Sequence, residues 1–276
     1  VSLPGLSPLS DALDPRQYGG KAARLARGRR AGLPVPDGVV LGASLVDRIA
    51  AGDAHAGDRL AHLFDTLGGA LVVRSSAIGE DSSTASFAGQ YLTVLNVRGP
   101  RALVDAVRDV ASSGRSASVI SYRRGRGDME GPGIAVLIQP LIEPDVAGVL
   151  FTRDPVTGAG GLLIEAAWGL GESVVAGRVI PDRYRLDAAG GPVERRPGRK
   201  DVAVRPREQG GTGEVPVAAH LVTALCLDDA ALAALFVLGR RCEDVLGAGQ
   251  DVEWALVGAQ VVLLQSRPIT TGVTRG

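Results

Sequence analysis

The stretch that most constrains this chain is residues 250–267. Residues 250–256 read Gln-Asp-Val-Glu-Trp-Ala-Leu and 261–267 read Val-Val-Leu-Leu-Gln-Ser-Arg. Both runs alternate or are apolar enough to be strands, and Gly258 sits where a turn belongs, which predicts a β-hairpin. With Gly258, Ala259 and Gln260 as a three-residue loop, antiparallel pairing sets Asp251 opposite Arg267 and Glu253 opposite Gln265, all on one face. Val252, Trp254, Leu256, Val262 and Leu264 then form the core face. A loop of even length would throw the two polar pairs onto opposite faces, because a one-residue slip inverts the side-chain set.

Two carboxylates, an amide and a guanidinium beside an apolar core are costly to bury unless something pairs with them. Mg²⁺ and a polyphosphate would do so, with Asp251 and Glu253 as hard oxygen ligands and Arg267 as a bidentate clamp on phosphate oxygens. The structural alternative is a cross-strand ion pair with a solvated end, and on the hairpin alone it is the stronger of the two.

With 276 residues and 45% hydrophobic content, the chain can bury one large core or two lobes. Its 30 basic and 30 acidic residues balance, so nothing marks it for nucleic acid or an anionic membrane, and any anion site must be local. Cys226 and Cys242 lie far apart and outside any CxxC pattern, which fits buried thiols in a reducing compartment. No apolar run reaches membrane-spanning length and the first twenty residues lack the order of a signal peptide, so the cytoplasm is the expected location. The chain opens on Val1 and has a single Met, Met129, as a piece of a longer protein would.

Gly19-Gly20-Lys21 opens a helical run over 22–31 that stops at Gly32. Residues 42–67 predict one or two helices broken at Gly52 and Gly57. A short strand over 70–74 leads into Arg74-Ser75-Ser76, a small-residue loop over 77–90, a strand over 91–97 and an amphipathic helix over 101–111. Residues 115–133 are basic and Gly-containing. Strands follow at 134–139, 147–152, 162–166 and 181–186, and 190–215 reads as an irregular surface connection. Asp228 caps a helix that runs to Leu246. Strands and helices without a βαβ rhythm predict an α+β protein.

Several of these stretches together resemble the nucleotide-binding domain shared by pyruvate phosphate dikinase, phosphoenolpyruvate synthase and rifampicin phosphotransferase. They are Gly-Gly-Lys-Ala-Ala-Arg-Leu at 19–25, Gly-Leu-Pro-Val-Pro-Asp-Gly at 32–38, Val-Val-Arg-Ser-Ser-Ala-Ile-Gly-Glu-Asp at 72–81 and Ser-Phe-Ala-Gly-Gln at 86–90. Ala-Gly-Val-Leu-Phe-Thr-Arg-Asp-Pro at 147–155, Trp-Gly-Leu-Gly-Glu at 168–172 and the hairpin complete the series in family order.

The resemblance implies an α+β ATP-grasp fold, two lobes with antiparallel or mixed sheets clasping ATP. The expected division is an N-terminal lobe over 1–139 and a C-terminal lobe over 140–276 that carries the hairpin. It also implies an ATP-dependent phosphotransferase in which ATP is cut to AMP and phosphate while its β-phosphoryl group passes to a histidine on a separate domain, and from there to a small-molecule acceptor. Carried over position by position, Lys21 and Arg74 hold phosphates and Arg267 faces the transferring phosphoryl, which makes these three the expected catalytic residues. Asp251 and Glu253 organise Mg²⁺. Gln265 binds nucleotide, as do Gln139 and Leu141 at the interlobe hinge, where Pro140 replaces a frequent Met and removes a backbone donor.

Each position has a structural alternative. Lys21 follows two glycines at a helix start, where amides and dipole attract anions, but it is not a Walker A lysine, because the earlier glycine and the following Ser/Thr are missing. Arg74 is placed to fork onto phosphate or to pair with Glu80 or Asp81. The loop over 79–89 resembles the family's phosphate-covering loop and has an idle loop's composition. Glu143 suits ribose hydroxyls or solvent, and Glu165 suits nucleotide or an internal partner. Glu172 and Asp182 read as structural.

His55, His62 and His220 are the only histidines, and none has the short Thr-x-His-like context of the family's phosphocarrier. The expected partner is therefore a histidine domain in trans or in a longer parent chain. Two other functions remain open: a free-standing ATP-grasp kinase or ligase that releases ADP, and a nucleotide-binding module without turnover.

Overall fold

The computed structural model describes residues 3–78, 92–114, 133–155 and 158–269. The loop over 79–89 and all but the last residue of the basic stretch 115–133 lie outside them. The protein is α+β, with antiparallel strand ladders throughout, and divides into two compact units. The first comprises Val1–Ala26, Asp37–Leu141 and Arg207–Gly211, and the second Arg27–Pro36, Ile142–Pro206 and Thr212–Gly276. No helix among the described residues is long and apolar enough to cross a membrane.

The first unit is built on a five-stranded sheet of β1 (Leu6–Pro8), β2 (Val39–Leu41), β3 (Leu71–Ala77), β4 (Thr93–Val97) and β5 (Ile134–Pro140), in the order β1-β2-β5-β3-β4. Helices α2 (Ala43–Ala50), α3 (Ala54–Leu67) and α4 (Pro100–Ser113) cover one face. Leu45, Ile49, Leu60, Leu103 and Val107 pack there on Leu71, Val73, Val136 and Ile138. Alternation sends Val72, Arg74 and Ser76 of β3, with Leu137 and Gln139 paired beside them on β5, to the opposite face. Gly57 does not break α3 as its composition suggests. The glycine is buried in the first turn of the helix, where packing on α4 outweighs its low helix propensity.

Helix α1 (Pro15–Arg30) is kinked at Gly19, which has φ 77° and ψ 164°, so the run holding Lys21 starts afresh at Gly20. A Cβ on Gly19 would stand 2.1 Å from the Ser76 carbonyl oxygen, so the close approach to β3 and the left-handed backbone both require glycine. The Ser76 hydroxyl accepts a hydrogen bond from the Ala22 amide at 3.0 Å, capping the new helix start from a distant strand.

The second unit holds a six-stranded sheet of β6 (Val146–Arg153), β7 (Gly160–Trp168), β8 (Asp182–Leu186), β9 (Pro192–Arg196), β12 (Gln250–Val257) and β13 (Gln260–Pro268), ordered β13-β12-β6-β7-β8-β9. A separate ladder pairs β10 (Val202–Pro206) with β11 (Thr212–Pro216). A short helix, α5 (Glu172–Val175), follows β7, and α6 (Asp229–Leu246) lies on the sheet with Asp228 accepting from the Ala231 amide, as the capping residue should. Residues 190–215 are thus not an irregular connection but three strands. Gly190-Gly191 and Gly210-Gly211 are their hairpin turns; β9 and β11 are largely exposed and β10 buries only the adjacent Ala203 and Val204, so none shows an alternating apolar face.

Behind β8 lies a fully buried ion pair. Asp182 accepts from the Lys200 ammonium, the Gly198 amide at 2.7 Å and the Cys226 amide at 2.8 Å. Burial, and after it the Asp182 charge, pushes the Cys226 thiol up, so it stays a protonated, unreactive thiol. Cys242 is likewise buried and forms no disulfide.

Candidate nucleotide and metal site

The predicted hairpin forms, and with the predicted polar pairs: Asp251 faces Arg267 and Glu253 faces Gln265. The route to that register differs from the one expected. The loop has two residues, Gly258 and Ala259, and closes the pair Val257–Gln260. Gly258 has φ 56° and Ala259 has no positive φ, as in a type II′ turn. An even loop inverts the faces, but a bulge between Glu253 and Trp254 inserts Leu264 and inverts them back. One consequence is a correction to the core: Leu263, not Leu264, pairs with Trp254 and is fully buried, while Val262 and Leu264 are only half-buried.

Both bonds from Arg267 fall on one Asp251 oxygen, Nε donating at 2.8 Å and Nη2 lying at 2.7 Å. Burial raises the Asp251 carboxyl above the ordinary aspartate range; Arg267 pulls it back and the neighbouring Glu253 charge pushes it up again, with burial prevailing. The row through Glu253 continues across the sheet as Val149, Glu165 and Arg183, so Glu165 shares the face of the two hairpin carboxylates. Glu143 is an exposed loop residue before β6.

In the first unit, Arg74 and Gln139 lie on the sheet face turned away from the helical core, and both are almost completely buried. Lys21 is half-buried in the first turn after the Gly19 kink. The Leu141 amide donates to the Ala70 carbonyl at 2.8 Å. Pro140 has no amide donor, so neither residue has a backbone N–H left to offer a ligand. Glu172 accepts from Thr212 at 3.1 Å and lies 3.9 Å from Arg178, and Asp182 is the buried ion-pair partner described above. Both are thus held within the fold.

The donor set suits Mg²⁺. Asp251 and Glu253 project from one strand to one face, and no group of three His, Cys, Asp or Glu that could cage a metal exists among the described residues. Two protein carboxylates, with phosphate oxygens and water completing the shell, is how Mg²⁺ is commonly held beside a nucleotide. A raised Asp251 carboxyl lets protons compete with the metal at a higher pH than for an ordinary aspartate. Mg²⁺-dependent nucleotide affinity, followed by calorimetry, should therefore fall on acidification before ordinary aspartates titrate. The sign for stability is opposite: a raised carboxyl contributes stability that is complete below its unfolded value and lost as pH rises through its folded one, so at neutral pH the ionised Asp251 costs stability.

The model of the pyruvate phosphate dikinase AMP/ATP-binding domain matches residues 55–275. The chain belongs to this family. It is 43% identical over 203 residues to a probable phosphoenolpyruvate synthase of Methanothermobacter thermautotrophicus, covering 73% of this chain and 30% of that one. It is 42% identical over 204 residues to a rifampicin phosphotransferase of Streptomyces sviceus, covering 73% and 23%. With a prodigiosin synthesizing transferase of Serratia marcescens it shares 36% over 289 residues, covering 94% and 32%. The chain thus spans about a quarter to a third of the length of these relatives. Family membership carries the ATP-grasp fold expected from the motifs, and two α+β units built on antiparallel sheets agree with it.

Arg183 also lies on this face, and the sequence did not single it out. The alternation of Asp182, Tyr184 and Leu186 with Arg183 and Arg185 would have put it on the polar side, but only the β7–β8 register brings it opposite Glu165.

Proposed function

We propose that this chain is the ATP-binding and ATP-cleaving module of a dikinase-type phosphotransferase. ATP is cut to AMP and phosphate, and the β-phosphoryl passes to a histidine on a separate domain and then to a small-molecule acceptor. The observation that carries this reading is the hairpin face, where two carboxylates and a guanidinium meet on paired strands in a chain of the AMP/ATP-binding family.

Asp251 and Glu253 hold Mg²⁺, which when bound neutralises phosphate charge and fixes the polyphosphate. Arg267 has a fork that fits two phosphate oxygens, and its ion pair with Asp251 keeps that fork in place before substrate arrives. Gln265, beside Glu253, orients the nucleotide, and Glu165 and Glu143 offer acceptors to its hydroxyls. In the first unit, Lys21 and Arg74 are the proposed phosphate contacts, and Gln139 and Leu141 the proposed nucleotide contacts. Phosphoryl transfer asks for positioning and charge neutralisation rather than a protein nucleophile, and this set supplies both.

The test is chromatography of nucleotides after incubation with Mg-ATP, with and without a family histidine domain and acceptor. AMP formed only with the histidine domain is the expected result. ADP formed with a small acceptor alone would instead make the chain a free-standing kinase or ligase. Intact ATP under every condition, with binding retained, would make it a nucleotide-binding module.

A further inference from the structure

We propose that Arg183 is a further ligand-binding residue of the second unit's polar sheet face, its guanidinium taking a phosphate oxygen. The inference rests on the nucleotide reading of that face and adds to it a contact three strands away from the hairpin's Asp251 and Glu253.

Arg183 Nε is fully buried and has no hydrogen-bond partner. A buried N–H left unmade costs free energy, and native folds rarely leave one so without a reason. The residues around Arg183 do not supply the missing acceptor. Its cross-strand neighbour on β7 is Glu165, an opposite charge directly across the ladder, yet no ion pair joins them. Its neighbour on β9 is Arg196, a like charge. Arg185, two residues along the same strand, shows the ordinary outcome by pairing with Asp154 at 3.4 Å. Arg183 and Glu165 therefore stand side by side, with the cation's inner N–H buried and unsatisfied.

The acceptor is identified by charge and position. Across one row of the sheet, Glu253, Val149, Glu165 and Arg183 run in order, so negative charge at the metal end gives way to positive charge at the other. Strand spacing sets the backbone of Glu253 and that of Arg183 on the order of 14 Å apart, a gap that two long side chains and a bound phosphate chain can bridge. A polyanion whose one end is held through Mg²⁺ meets a guanidinium at the other, where a fork of N–H groups fits phosphate oxygens. That oxygen belongs either to the nucleotide's α-phosphate, which AMP retains, or to free inorganic phosphate.

Calorimetric titration of wild type and Arg183→Gln with Mg-ATP, AMP, adenosine and inorganic phosphate tests the assignment. The expected result is a loss of about tenfold or more in AMP affinity with adenosine affinity unchanged, which selects the α-phosphate. The same loss for inorganic phosphate with AMP unchanged would select the free anion. Arg183→Lys, which keeps the charge but not the fork, should lose less and serves if the glutamine variant does not fold. Wild-type affinities for both AMP and phosphate in a folded Arg183→Gln would overturn the assignment while leaving the nucleotide reading intact. Failure of the wild type itself to bind Mg-ATP would overturn both.

Discussion

Arg267→Ala is expected to slow ATP cleavage by about 10²–10³-fold, because it removes donors aimed at charge that develops on the transferring phosphoryl. Two features of the structure sharpen the expectation. Arg267 is the residue that pulls the Asp251 carboxyl down against burial, so without it that carboxyl should rise further and the pH dependence of Mg²⁺ binding should move to higher pH. Its two contacts to Asp251 come from different nitrogens of the fork, so Arg267→Lys should recover only part of the loss. Steady-state kinetics with the histidine domain present would read the rate, and thermal melting would separate it from unfolding. Cleavage by Arg267→Ala within a few-fold of wild type would remove this residue from the proposed chemistry.

Lys200→Met should be the most destabilising single substitution in the second unit, by about 3–5 kcal/mol. Lys200 and Asp182 are both fully buried, and removing the ammonium leaves a carboxylate with only backbone amides and the Tyr184 hydroxyl around it. The Tyr184 hydroxyl in turn accepts from the Leu227 amide at 3.1 Å, so the network ties β8 to the segment leading into α6. Urea denaturation of Lys200→Met, Asp182→Asn and the double variant would measure it. The double variant should recover much of the loss, since no buried charge is then left alone. Strictly additive losses would mean that the two groups are not coupled.

How far the sequence reveals this molecule depends on which physical signal each part leaves. The hairpin's polar pairing is legible because alternation places Asp251 with Glu253 and Gln265 with Arg267 whatever the turn does. The turn and the bulge are not legible, since Leu263 and Leu264 are chemically alike and either could face the core; two departures from the expected geometry cancel. Asp228 announces its helix through capping chemistry, whereas Gly57 misleads because its tolerance comes from packing on α4. The strands over 192–196 and 212–216 escape detection because an exposed strand needs no apolar face, and that over 202–206 because its buried residues, Ala203 and Val204, are adjacent rather than alternating. Lys200 escapes for a different reason: a buried charge is recognised by its partner, and Asp182 comes from a distant part of the sequence. Arg183 escapes because only the β7–β8 register brings it opposite Glu165.

The most direct test of the account is the affinity of the intact chain for ATP measured with and without Mg²⁺, alongside Asp251→Asn and Glu253→Gln. The wild type is expected to bind ATP more tightly with Mg²⁺, and either substitution to abolish the Mg²⁺-dependent gain. A Mg²⁺ effect that survives in both variants, or wild-type binding indifferent to Mg²⁺, would contradict it.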